Sequence, residues 1–161
     1  MTRVKNGETS LVIDEKIRQV LPDFPKFAIT YSVSENAEGS QVNQQKMQKS
    51  LDDYNGMFGT KYDLAQIQGY NANLNKRLAR KDHKYDSRNE QLDLVIVVDR
   101  LLTGFDAPCL STIFIDRQPM GPHDLIQAFS RTNRILNSVK TFGNIVCFRD
   151  LEEATNDAIA L

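Results

Sequence analysis

The sequence predicts an α/β domain with a mainly parallel sheet and helices on both of its faces, and three features carry that expectation. Leu94 to Val98 is an uninterrupted aliphatic run, the pattern of a strand buried on both sides and not of a half-wet antiparallel one. Apolar, β-branched runs also fall at about 27–33, 112–116 and 144–148, and segments of helical period separate them. The run at 94–98 opens into a polar turn at 99–106, and the C-terminal ends of parallel strands are where such sheets present ligand-binding groups.

Taken in order, residues 1–10 are polar and unpatterned. Ile13, Ile17, Val20 and Leu21 then recur at helical spacing until Pro22, which predicts a short lead-in helix. Residues 27–33 read as a strand with Ser32 and Ser34 at its exit, where serines more often form turns than bind ligands. Residues 35–42 have the composition of a loop. Met47, Leu51, Tyr54 and Phe58 follow at i, i+4, i+7 and i+11, an amphipathic helix ended by Gly59. Asp63 and Gln66 have capping-box spacing, and Ile67, Tyr70, Leu74 and Leu78 extend a helix over about 64–81 despite Gly69.

In the polar turn after 94–98, Gly104 sits where a side chain would block close approach of the backbone to a ligand, flanked by Thr103 and Asp106. Pro108 ends that turn, and the next strand closes at Asp116. Pro122 suits the first position of a helix, where its missing N–H would be unpaired anyway. A strand at 144–148 follows, then a helix capped by Asp150 with Glu153 closing the box.

Helical periodicity from Pro122 sets Leu125, Ile126, Ala128 and Phe129 on one side and Gln127, Arg131 and Arg134 within a sector of about 60° on the other. Two guanidinium forks beside an amide suit phosphate or carboxylate oxygens, although surface arginines on an ordinary amphipathic helix are the commoner occurrence. A second basic group, Lys76, Arg77, Arg80, Lys81, Lys84 and Arg88, is diluted by Asp82 and Asp86. It reads as a solvated face or as a phosphate-tracking patch, with the first favoured.

Composition narrows the classes. A net charge of −1 gives no global basic field, so any nucleic-acid contact must be local. Cys109 and Cys147 lack metal-site or disulfide spacing, and His83 and His123 lack ligand-like neighbours, so no metal site is expected. No apolar run approaches the roughly 18 residues of a membrane span, and the start lacks a signal-peptide core. A soluble cytoplasmic protein with no membrane partner is the expectation. A nucleotide motor needs a glycine loop followed by lysine and Ser or Thr, and this chain has no GK[ST]. GMFGTK at 56–61 has the wrong glycine spacing and follows a helix.

LLTGFDAP at 101–108 and QAFSRTNR at 127–134 resemble helicase motifs V and VI of the restriction (motor) subunit of type I restriction-modification enzymes. Most superfamily 2 helicases carry glycine where this chain has Ser130, and that serine with Thr132 and Asn133 points to the type I subunits. DDYNGMFG at 52–59 and FGNIVCFRDLE at 142–152 are similar too, so the resemblance covers most of the chain.

The resemblance implies a RecA-like lobe, the second of the motor, over residues 1–161 of a larger subunit. Residues 1–24 would be a lead-in and 149–161 the start of a following helical region. RecA-like lobes normally show more than the four strands legible here, so one is hidden near 60–70 or the sheet is trimmed. The implied activity is ATP-driven translocation of double-stranded DNA before cleavage, with ATP and Mg2+ held between two lobes. Arg131 and Arg134 would be arginine fingers, Gln127, Gly104 and Asp106 nucleotide contacts, and Thr103 a link to the DNA groove; Arg80, Lys81 and Lys84 would meet DNA if the basic segment tracks phosphate.

The implied partners are double-stranded DNA, the first RecA-like lobe and nuclease domain of the same subunit, and the methylation and specificity subunits. Without the phosphate loop this stretch alone is expected to bind no cofactor tightly. A lobe of another superfamily 2 helicase, and a non-catalytic docking module of helicase ancestry, stay open as alternatives.

Overall fold

In a computed structural model, residues 2–5, 8–11, 15–31, 40–80, 82–98 and 106–160 are described. In chain order the elements are β1 (Thr2–Lys5), β2 (Glu8–Leu11), α1 (Glu15–Val20), β3 (Phe27–Tyr31), α2 (Ser40–Phe58), α3 (Ile67–Ala79), β4 (Leu94–Val98), β5 (Thr112–Ile115), α4 (Pro122–Ser130), β6 (Asn144–Cys147) and α5 (Glu152–Ala160). The chain is mixed α/β with small parallel sheets. Strand β3 pairs in parallel with β4, Phe27 opposite Leu94 through Tyr31 opposite Val98. Strands β5 and β6 do the same, Thr112 opposite Asn144 through Ile115 opposite Cys147. Strands β1 and β2 form an antiparallel hairpin with Lys5 opposite Glu8, where the sequence had suggested only polar, unpatterned chain. The Asn6-Gly7 dipeptide between them is the turn signal that could have found it.

The first core forms where α2 and α3 cover the β3–β4 pair. Met47, Leu51 and Tyr54 from α2 and Tyr70 and Leu74 from α3 are fully buried, as their helical spacing requires, and meet Ala28 and Leu92. Helix α2 ends at Gly59, whose φ of +63° is left-handed backbone that favours glycine. Asn55 holds the following turn, its amide donating to Tyr62 O at 2.8 Å while its Oδ1 accepts from Tyr62 N at 2.8 Å. Asp63 Oδ1 accepts from Gln66 N at 2.9 Å, but the segment it caps is a 3₁₀ turn, Leu64–Gln66, that leads into α3.

Arg77 is buried in this core, 2% exposed, and so leaves the surface charge cluster. Its guanidinium lies 3.7 Å from the Phe58 ring centroid. Its Nε donates to Tyr54 Oη at 2.9 Å, and its Nη1 to Glu90 O at 2.8 Å and Glu90 Oε2 at 2.5 Å. A buried cation is tolerated when its donors are met in this way, and here the bonds tie α2, α3 and the 3₁₀ turn Arg88–Glu90 together.

The second core joins β5 to α4 and α5 through Ile115, Met120, Leu125, Ala128, Leu151 and Ala158, and β6 pairs with β5 outside it, its residues exposed. At the start of α5, Asp150 Oδ1 accepts from Glu152 N at 3.3 Å. The strands are not buried on both sides. Leu94, Ile96 and Val97 are 41%, 45% and 39% exposed, and Phe114 and Phe148 stack in solvent with centroids 6.1 Å apart. An apolar run reports that a strand can be covered twice; the cover itself depends on elements elsewhere, and among the described residues these side chains are covered only in part. Ile126, placed on the core side by periodicity, is likewise exposed because the contact with α5 is narrower than the apolar sector of α4.

Candidate functional site

Helix α4 carries the first part of the candidate site. It begins at Pro122, as the sequence predicts, with Gly121 in extended backbone before it. Leu125 and Ala128 seat it in the second core, which turns Gln127 to the other side. Gln127 Nε2 lies 2.7 Å from His123 Nε2, one turn back, so the ring nitrogen accepts from the amide when it is unprotonated. Ser130 Oγ donates to Gln127 O at 2.8 Å and ends the helix.

Arg131 is the C-cap, with helical backbone and a half-buried side chain. Arg134 is not on the helix at all. Thr132, 1% exposed, donates through its N–H and its Oγ1 to Phe129 O at 3.4 and 3.3 Å, which tightens the chain out of the helical path. The two arginines are therefore not a one-turn stripe. Instead Arg134 leaves the helix end and its Nη1 reaches Asp106 Oδ1 at 2.6 Å. That ion pair brings the two sequence motifs into contact, the carboxylate of one with a guanidinium of the other.

Gly143 fixes this corner from behind. A Cβ there would collide with the backbone carbonyl of Thr132, so only glycine lets the chain entering β6 pass so close to the residue after Arg131.

Thr103, Gly104 and Lys81 lie outside the described residues. Arg80 is the left-handed C-cap of α3, φ 48°, its N–H bonded to the Lys76 and Arg77 carbonyls, and its side chain is exposed. Lys84 is exposed, 4.0 Å from Glu90 Oε2. Arg88 forms a two-pronged pair with Asp93 at 2.6 and 2.8 Å and also reaches Asp23. The Asp93 carboxylate holds the Arg88 guanidinium more firmly charged, and the Lys26 and Arg88 hydrogen bonds hold the Asp23 carboxyl below its usual range. Arg77 is thus enclosed and Arg88 is taken up by two carboxylates at the surface, and the exposed patch reduces, among the described residues, to Lys76, Arg80 and Lys84.

A groove of about 420 Å³ opens between Phe129 and the start of α5, lined by Ile145, Cys147, Arg149, Leu151 and Thr155. Among the described residues, none of the candidate site residues Asp106, Gln127, Arg131, Arg134, Arg80 and Lys84 lines it. Among the described residues no helix is long and apolar enough to cross a membrane.

Residues 10–150 match the family described as type I restriction enzyme subunit R domain 3. The chain is 34% identical over 159 residues to a type I restriction enzyme endonuclease subunit of Staphylococcus aureus (strain COL), a match covering 97% of this chain and 16% of that protein. A type I endonuclease subunit of Staphylococcus saprophyticus is 35% identical over 136 residues, 82% of this chain and 14% of that one. The HindI endonuclease subunit of Haemophilus influenzae is 41% identical over 66 residues, 40% of this chain and 6% of that one. The chain spans about 16% of the length of the first of these relatives.

Proposed function

The chain belongs to the family of type I restriction enzyme subunit R domain 3, and from that membership we propose that it is the second RecA-like motor lobe of such a subunit, supplying arginine fingers to an ATP site that drives movement along double-stranded DNA. The observation that carries this reading is the Arg134–Asp106 pair at 2.6 Å, which joins the two motifs beside the Arg131 cap. The names of the relatives, all endonuclease subunits, support cleavage by the complete subunit.

The donor set fits the anionic end of a nucleoside triphosphate. Arg131 and Arg134 offer planar, permanently charged forks, and Gln127 adds an amide held by His123. Asp106 is already paired with Arg134, which makes it a poor magnesium ligand, so the Mg2+ ligands and the phosphate loop belong to the first lobe. Bound ATP with Mg2+ would supply the phosphoryl group whose hydrolysis drives the motor. Arg131 would stabilise the negative charge that develops on the transferring group, and Arg134, oriented by Asp106, would approach from the end of α4. Gly104 would allow the backbone to approach the nucleotide, Thr103 would connect the cleft to the DNA groove, and Arg80, Lys81 and Lys84 would contact DNA phosphates. The methylation and specificity subunits complete the assembly, which works in the cytoplasm.

Arg131→Lys in the complete subunit tests the reading. Lysine keeps the charge and loses the fork, so turnover of ATP should fall by about two orders of magnitude while KM moves much less. Near-parental turnover, or a loss explained by unfolding, would refute the finger.

A further inference from the structure

The loop from 131 to 143 contains a side chain that none of the preceding roles uses. Lys140 is half-buried, and its Nζ donates to Thr132 O at 2.8 Å and also to Arg134 O. Thr132 directly follows Arg131, and the second carbonyl belongs to Arg134 itself. Two carbonyls two residues apart converge on one ammonium only if the backbone between them is curled in one way, and a compact charge with three donors suits that task. Both carbonyls lie past the C-cap of α4, in the loop itself, so the ammonium fixes the chain after the helix and not the helix end.

The rest of the loop serves the lysine. Leu136 N donates to Lys140 O at 3.1 Å, and Asn137 Oδ1 accepts from Val139 N and Lys140 N, both at 2.9 Å. The apolar side chains do not hold the loop: Ile135, Leu136, Val139 and Phe142 are 71%, 47%, 88% and 68% exposed. Polar bonds centred on Lys140, with Gly143 pressed behind Thr132, are what fix it.

We propose that Lys140 is a positioning residue for the two arginines, setting through the Thr132 and Arg134 carbonyls the direction in which their guanidinium groups leave the end of α4. The proposal rests on the reading of Arg131 as a transition-state contact. Lys140 itself touches no reacting atom. Because misplacing a transition-state donor by about 1 Å costs on the order of a hundredfold in rate, loosening this backbone should show in turnover and not in nucleotide binding.

The test uses the complete subunit with DNA-stimulated ATP hydrolysis as readout. Lys140→Met keeps the stem and removes the ammonium; turnover should fall roughly tenfold with KM for ATP within about twofold. Combined with Arg131→Lys it should cost less than the product of the two separate losses, because the lysine acts in part through the Arg131 contact and in part through Arg134. Asn137→Ala, a milder loosening of the same loop, should move turnover in the same direction and decides the matter if Lys140→Met does not fold. Parental turnover in Lys140→Met beside a disabled Arg131→Lys, or fully multiplicative losses in the double variant, would overturn the positioning role alone. Parental turnover in Arg131→Lys would overturn the finger and this proposal with it.

Discussion

Three arginines in this chain are put to three uses, and burial separates them. Arg77 is enclosed and has Tyr54, Asn73 and Glu90 as partners, so its charge is a fixed part of the core. Arg131 ends a helix half in solvent, and Arg134 stands 55% exposed against Asp106. A pair so open contributes about 0–1 kcal/mol to stability, and under the proposed function its worth lies in aim. Asp106→Asn keeps the shape of the side chain and removes its charge. In the complete subunit that change should leave the melting temperature within about 2 °C of the parent, given so small an energy. It should nevertheless lower ATP turnover roughly tenfold, by letting Arg134 wander from the geometry a transferring group requires. A large fall in melting temperature with turnover intact would make the pair a structural brace.

At the level of elements, helices were the most legible part of the sequence. The spacing of Met47, Leu51 and Tyr54 gave α2, and Pro122 gave the first residue of α4, because local periodicity and a proline act within one turn. Extending α4's period to Arg134 failed because Thr132 bonds back to Phe129 O, a competition that a helical wheel does not contain. Partners far away in sequence were less legible: β1 and β2 lack a clean alternation, and the exposure of Ile96 and Phe114 depends on which elements cover them. The motif residues were legible as a set, whereas Lys140 was not, since a lone lysine in a loop carries no pattern until Thr132 O and Arg134 O are seen beside it. Tyr70 shows how the helices are fixed to the strands. Its hydroxyl donates to Ile29 O of β3 at 2.7 Å, and burial of the phenol pushes its pKa from 10.0 up to about 12. Burial raises that of Tyr54 as well. A raised pKa means that the folded state holds the proton more tightly than the unfolded one, so this stability is fully present below pH 10.0 and is lost as pH rises toward about 12. Urea midpoints measured from pH 9 to 12 should stay level and then fall above about pH 10, and Tyr70→Phe should flatten part of the fall. A level midpoint throughout would mean that these phenols ionise in place.

Over the whole chain the balance of charge is even, −1 in total, so any DNA affinity must come from side chains that the fold leaves outside. The structure sorts the basic segment for this purpose. Arg77 is 2% exposed, and Arg88 is committed to Asp23 and Asp93, whereas Arg80 and Lys84 face solvent. Each phosphate contact made by a basic side chain releases counterions, which makes the logarithm of affinity fall with the logarithm of salt by about 0.9 per contact on duplex DNA. In the complete subunit, changing Arg80, Lys81 and Lys84 to glutamine should therefore make the slope shallower by up to about 2.7, with the melting temperature unchanged. Arg88→Gln should do the reverse: it should lower the melting temperature, because Asp93, at 17% exposure, is left without its two-pronged partner, and leave the salt slope as it was. The triple variant removes three charges and Arg88→Gln one, so the contrast is read per charge removed: about 0.9 of slope for each phosphate-contacting side chain and none for Arg88. An unchanged slope in the triple variant would make this face merely solvated, and a shallower slope in Arg88→Gln would mean that its carboxylate partners release it to meet the DNA backbone.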